Sequence, residues 1–273
     1  MNRFLKGAMI LTIAGVIVKI IGAFSKVLVA RILGGEGIGL YMMAYPIYQI
    51  IVSISAAGIP VAISIMIAEK LANRDMRGVQ QVFNVSLRML TLVGIIFSVG
   101  LYASAEWLIQ WNIITDSRAL IPIQLLSPAI IVVTILSCFR GYFQGFQYMV
   151  PTGTSQVFEQ IFRVGSMVGL AYYFIDSGLH LAAGGATFAT FPGVLAGLIV
   201  LVYFYRSQRS LRQQMLSEQN EEAPIERTSA VIKRLFALAI PVSMANIMLP
   251  MVSLIDTFIV PKRLMDIGYY LHE

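Results

Sequence analysis

Apolar runs of roughly 20 residues recur along this sequence with only short polar breaks between them. That is the length an α-helix needs to cross a hydrocarbon core of about 30 Å, whereas a spanning β-strand is about half as long and alternates in polarity. Hydrophobic residues make up 58% of the chain and charged residues 12%, against about 45–50% and 25% in soluble domains. The sequence therefore predicts an all-α, polytopic membrane helical bundle. Spans are expected at about 8–32, 41–69, 83–105, 119–140, 153–175, 181–205 and 235–260. Short connections such as Gly34 to Gly39 and Asp176 to His180 imply antiparallel neighbours. The first run continues to about Ala30, carries lysines and lacks a small-x-small cleavage site, so it reads as an uncleaved span rather than a signal peptide.

The net charge of +6 would hint at nucleic acid in a soluble protein. Here the basic residues read as topology signals, and no nucleic-acid partner is expected. With the N-terminus in the cytoplasm, twelve Lys and Arg fall on the inner side, including Arg3, Lys70, Arg140, Arg206 and Arg234, and four fall outside: Arg31, Arg118, Lys262 and Arg263. That bias predicts a multi-pass protein of the plasma membrane with a cytoplasmic N-terminus. The longest polar stretch, Ser207 to Ser229, contains Glu218, Glu221, Glu222 and Pro224. It divides the chain into a six-helix lobe at 1–206, a cytoplasmic linker at 207–234 and, at 235–273, the first helix of a second lobe. Ending soon after a seventh crossing is odd for a bundle, so the sequence reads as a fragment or a truncated frame. Arg31-Ile32-Leu33 before Tyr41, set against Arg263-Leu264-Met265 before Tyr269, suggests that a repeat begins at the seventh span, as in two-lobed transporters.

Chemistry is expected where charge enters a span. Thr12, Gly15, Lys19, Gly22 and Lys26 follow helical spacing on the first span, so two ammonium groups share a stripe with small residues. Each costs about 2.5–3.5 kcal/mol at a helix centre and so faces a bundle interior or wet cavity unless it snorkels to an interface. The stripe predicts a cavity that holds an anion, with Thr12, Gly15 and Gly22 leaving it room. On the fifth span Thr152, Gln156, Glu159, Arg163 and Ser166 repeat the device. Glu159 and Arg163, four residues apart, are expected to pair, with Arg163 joining the anion site and Glu159 adjusting it or binding a coupling cation. Asp256 is the other coupling-ion candidate, with Asn246 and Ser253 on roughly its side.

Pro46, Gly58 and Pro60 in the second span, and Pro241 and Pro250 in the seventh, favour kinks, and the first three are the expected hinge. The run Gly34 to Gly39 lacks the lysine and hydroxyl of a phosphate-cradling loop and reads as a tight external turn. One cysteine, Cys138, and two distant histidines, His180 and His272, offer no disulfide or metal constellation. No cofactor is expected.

Several segments carry a family resemblance: Lys19-Ile20-Ile21-Gly22, Arg31 through Tyr41, Ala44-Tyr45-Pro46-Ile47-Tyr48, Gly58 through Ser64, Arg140-Gly141-Tyr142-Phe143-Gln144-Gly145 and Ile255-Asp256-Thr257. Together they resemble the stage V sporulation protein B and polysaccharide biosynthesis family. The resemblance covers the whole chain but only about the first half of a typical member. It implies membership of the multidrug, oligosaccharidyl-lipid and polysaccharide exporter superfamily, a V-shaped transporter of two six-helix lobes, and alternating access. It also implies a polyprenyl-pyrophosphate-linked sugar as substrate.

On that reading Lys19, Lys26 and Arg163 replace the hydration of a pyrophosphate, and Gln49, Ser53 and Asn246 meet sugar. The protein is then a flippase carrying a cell-wall or polysaccharide precursor outward among membrane lipids. The alternatives are a cation-coupled multidrug antiporter of the same superfamily, whose site would favour acidic residues, and an inactive fragment or scaffold. An enzyme on the same lipid is disfavoured, since the sequence offers no Asp-x-Asp and no paired carboxylates at catalytic spacing.

Overall fold

A computed structural model describes residues 3–56, 58–111, 114, 116–217 and 226–266. Helices account for the architecture, and no strand occurs among the described residues. They are α1 (Arg3–Ser55), α2 (Ile59–Ala72), α3 (Met76–Gln110), α4 (Leu120–Gly145), α5 (Val150–Phe174), α6 (Leu179–Phe188), α7 (Thr190–Ser207), α8 (Arg209–Ser217) and α9 (Thr228–Asp266).

The expected first two crossings are the two arms of α1, which meet at Gly34 with φ 66° and ψ −175°. Only glycine adopts that combination without strain. The turn predicted over Gly34 to Gly39 is thus a single residue, and the helix resumes at once. Outside the kink, Arg118 donates to Glu36 at 2.6 Å and pairs with Asp116 at 2.7 Å, tying the kink to the start of α4. The helix of the second crossing ends at Ser55 and a new one, α2, begins at Ile59, with Pro60 in its first turn, where a missing N–H costs nothing. Through Pro46 the backbone stays helical, so of the predicted kinks in this crossing the one at Gly58–Pro60 is present. The sixth crossing is α6 and α7 meeting at Ala189.

Among the described residues, five stretches are long and apolar enough to span a bilayer: Leu5–Ala72, which holds two crossings in its 68 residues, Met76–Gln110, Ser117–Gly145, Leu179–Ser207 and Thr228–Ser253. The fifth predicted span, α5, is too polar to join them. It packs instead between α1, α6 and α7.

Two apolar cores lie at opposite ends. One joins both arms of α1 to α4, α5 and α6 around Leu33, Leu40, Ile123 and Ala182. The other joins α2, α3, α4, α7 and the start of α9 around Ile63, Phe83, Phe143, Leu201 and Leu235. Since lipid is as apolar as these side chains, close packing and internal polar bonds hold such helices together. At the second end Lys70 bridges Asp75 (3.3 Å) and Glu226 (2.7 Å), and Arg234 pairs with Glu69, so the entry to α9 is fastened to the α2–α3 turn.

A cationic cavity between the arms of α1 and α5

Residues 18–26 of the first arm, 41–45 of the second and 160–167 of α5 enclose a cavity of about 420 Å³. Because positions before and after Gly34 line the same hollow, the two arms run side by side, joined at the kink. Helical spacing brings Lys19, Gly22 and Lys26 onto the cavity side of the first arm. Gly22 lets α5 approach, since a Cβ there would sit 3.2 Å from Nε2 of Gln160. Ser25 turns its hydroxyl to the Gly22 carbonyl at 2.7 Å.

On the opposite wall Tyr41 and Tyr45 stack with ring centroids 5.3 Å apart and planes 16° off parallel. Arg163 spans the floor, donating to the Tyr45 hydroxyl at 3.4 Å and to the side-chain oxygen of Gln160. Its position follows from the contact of α5 with α7: a Cβ on Gly193 would fall 2.6 Å from the Arg163 Cβ and 2.9 Å from the Glu159 carbonyl, so only a glycine there permits this approach. The lining therefore carries Lys19, Lys26 and Arg163 and, among the described residues, no carboxylate. Neither lysine has an ion pair among the described residues.

Other expected members lie elsewhere. Thr12 and Gly15, at the far end of the stripe, are outside the cavity, and the exposed Thr12 hydroxyl bonds back to the Ala8 carbonyl at 2.9 Å. Alongside the first half of the stripe the start of α5 packs on the neighbouring face, where Gly153 meets Ile10 and Ala14, and leaves Thr12 and Gly15 to one side. Gln49 and Ser53 continue the face of Tyr41 and Tyr45 one and two turns on, half-buried and buried, beyond the lining. Asn246 and Asp256 are exposed on α9, which packs through its first half against α2 and α3, and the Asn246 amide bonds its own helix at Val242, 3.0 Å away.

The expected Glu159–Arg163 pair does not form. Glu159 instead accepts from Arg140 at 2.7 Å, with both side chains 17% exposed, and the Ser155 hydroxyl lies 3.4 Å from Arg140. Arg140, counted among the inner-side charges from sequence, is drawn inward by this partner. Four residues along one helix is a workable spacing, but a guanidinium on the facing helix comes closer. Sequence reasoning also missed Tyr41, Tyr45 and Gln160. The spacing of Tyr41, Tyr45 and Tyr48 was a usable signal once the second arm was known to face the first.

The family model for polysaccharide biosynthesis proteins matches residues 4–268. The chain belongs to that family. It is 34% identical to stage V sporulation protein B of Bacillus subtilis (strain 168) over 77% of its length and 40% of that protein's. To lipid II flippase MurJ of the same organism it is 26% identical, over 98% of this chain and 51% of the other. An outward-facing multidrug resistance MATE family transporter of the MOP superfamily shares the fold with a TM-score of 0.71, at 15% identity, over 89% of this chain and 52% of that one. The chain spans about half the length of the relatives it matches, or less.

Proposed function

We propose that this family member serves in moving a polyprenyl-pyrophosphate-linked sugar, a cell-wall or polysaccharide precursor, from the cytoplasmic to the outer leaflet by alternating access. The observation that carries the reading is one hollow with three cations from two helices and no lining carboxylate among the described residues. Pyrophosphate is the costly part of such a substrate in lipid, and fixed cations replace its lost hydration. Lys19 and Lys26 offer compact, reorienting charges, while Arg163 is held by Tyr45 and Gln160. The stacked Tyr41 and Tyr45 present an aromatic wall beside the phosphate site, suited to a sugar ring. At about 420 Å³ the cavity falls within the range of about 300–1,000 Å³ usual for small-molecule sites.

In this reading residues 1–206 form the substrate-holding lobe, 207–234 the cytoplasmic linker and 235–273 the start of a second lobe. The N-terminus is cytoplasmic, and Gly58–Pro60 serves as the hinge. Outward movement of an anion gains about 2.3 kcal/mol per charge per 100 mV of inside-negative potential. The relationship to a lipid II flippase supports the substrate class, and the cationic lining disfavours a cationic drug.

The test is accessibility of the lipid-linked precursor at the outer leaflet of cells that depend on this chain. Lys19→Ala and Lys26→Ala each lower that exposure at normal protein abundance, and Thr12→Ala, outside the hollow, leaves it unchanged. Undiminished exposure in both lysine variants would reject the assignment.

A further inference from the structure

A second cavity, of about 460 Å³, opens at the end of the bundle where α3 begins and α7 stops. Its lining includes Phe83, Tyr142, Tyr205, Arg206, Arg209 and Arg212 and, among the described residues, no carboxylate. The floor is rigid: Phe83 stacks on Tyr205 at 5.0 Å, and Tyr142 meets the same ring edge-on at 5.3 Å. Arg212 is fixed over it, with its guanidinium carbon 3.7 Å from the Tyr205 ring centre and a hydrogen bond to the Tyr205 carbonyl. The side chains of Arg206 and Arg209 have neither hydrogen bond nor ion pair among the described residues. Three guanidinium groups thus converge on a small aromatic-floored space with two of them uncommitted.

The short helix α8 indicates the source of the anion. Arg212 and Leu216 point to the cavity while Leu211 and Met215, also four residues apart, are exposed to 54% and 37%. A helix with that division lies in the plane of a membrane interface, its apolar side dipping toward acyl chains. This end of the bundle also carries Lys70, Arg74, Arg227 and Arg234, which the positive-inside rule places toward the anionic cytoplasmic leaflet.

We infer that this cavity binds the headgroup of an anionic phospholipid, its phosphate held by Arg206, Arg209 and Arg212 and its acyl chains passing Leu211 and Met215. Arginine suits the role because its planar fork meets phosphate oxygens two at a time. A net charge of three favours a headgroup with net negative charge over a zwitterionic one. The site is separate from the hollow at Lys19 and does not depend on the proposed transport.

The experiment titrates the purified 273-residue chain in detergent micelles with fluorescent phosphatidylglycerol and, in parallel, with the same fluorophore on phosphatidylcholine. The chain prefers the anionic probe, and the double variant Arg206→Gln/Arg209→Gln binds it about tenfold or more weakly, in line with the usual contribution of basic residues near anionic lipid. Because neither side chain has a partner among the described residues, the variant is expected to keep its thermal stability. Thr12→Ala, outside both cavities, binds as the unaltered chain does. Equal binding of the two probes overturns the inference, and is the result expected if Glu218, Glu221 and Glu222 of the linker satisfy the arginines instead. Competition by soluble glycerol 3-phosphate at the potency of the lipid also overturns it, since the site would then serve a free phosphate.

Discussion

Replacing Glu159 by Leu strands a guanidinium that the bundle has drawn inward, and the size of the penalty follows from the contact. The Arg140–Glu159 pair is 2.7 Å long with each side chain 17% exposed. Removing one member of a fully buried pair costs about 3–5 kcal/mol, mostly from the charge left behind. Here residual exposure and the Ser155 hydroxyl, 3.4 Å from Arg140, offset part of that, so about 2 kcal/mol is expected. At about 2–4 °C per kcal/mol for chains of 150–250 residues, the apparent melting temperature in detergent falls by about 4–8 °C. Arg140→Leu behaves alike, and the double variant recovers part of the loss because no charge remains unpaired.

A double-mutant cycle then gives a coupling of about 1–2 kcal/mol between the two positions. The same cycle run for Glu159 and Arg163 gives a smaller value, since Arg163 is committed to Tyr45 and Gln160. Coupling to Arg163 equal to or above that to Arg140, read by thermal unfolding followed by size-exclusion chromatography, would refute the pairing and restore the simpler one within a single helix.

Two further outcomes test the backbone. Gly34→Ala forces a side chain into a left-handed conformation and costs about 1–3 kcal/mol, visible as a lower melting temperature, whereas Gly35→Ala, with open space around its added carbon, changes little; equal effects would contradict the kink. Gly58→Ala places a methyl group 2.2 Å from the Ala239 carbonyl and displaces the Ser243 hydroxyl that the Gly58 N–H donates to at 3.1 Å. Overpacking of this kind costs about 1–3 kcal/mol and loosens α9 from the α1–α2 break, which faster proteolysis of the linker at 218–225 reports; an unchanged cleavage rate would refute the contact.

The helical bundle was legible because lipid imposes one rule on every span, a sufficient apolar length, and α1 with α2, α3, α4, α6 with α7, and α9 supply it. Lys19, Gly22 and Lys26 were legible for a related reason, as helical periodicity fixes which residues share a face. What lay out of reach is contact between helices. Nothing local to α5 says that Glu159 turns to Arg140 while Arg163 turns to Tyr45; that depends on how α5 is rotated, which the glycines of α7 set by admitting its backbone. The stripe on the first arm likewise does not announce which face α5 covers, so Thr12 and Gly15 were included although α5 begins against Ile10 and Ala14 beside them. The expected repeat partner after Met265 lies mostly outside the described residues. α8 escaped notice because nine residues that are mostly basic and polar, within a polar stretch, resemble a linker until their apolar side is seen uncovered.

The fold at Gly34 makes the hollow sensitive to counting. Only fourteen residues separate Lys26 from Tyr41, and each residue added or removed there turns the following helix by about 100°. A single insertion in this stretch would swing the tyrosine wall away from the lysines without altering any residue of either, so its length should tolerate far less drift than its glycine-rich composition would lead one to expect.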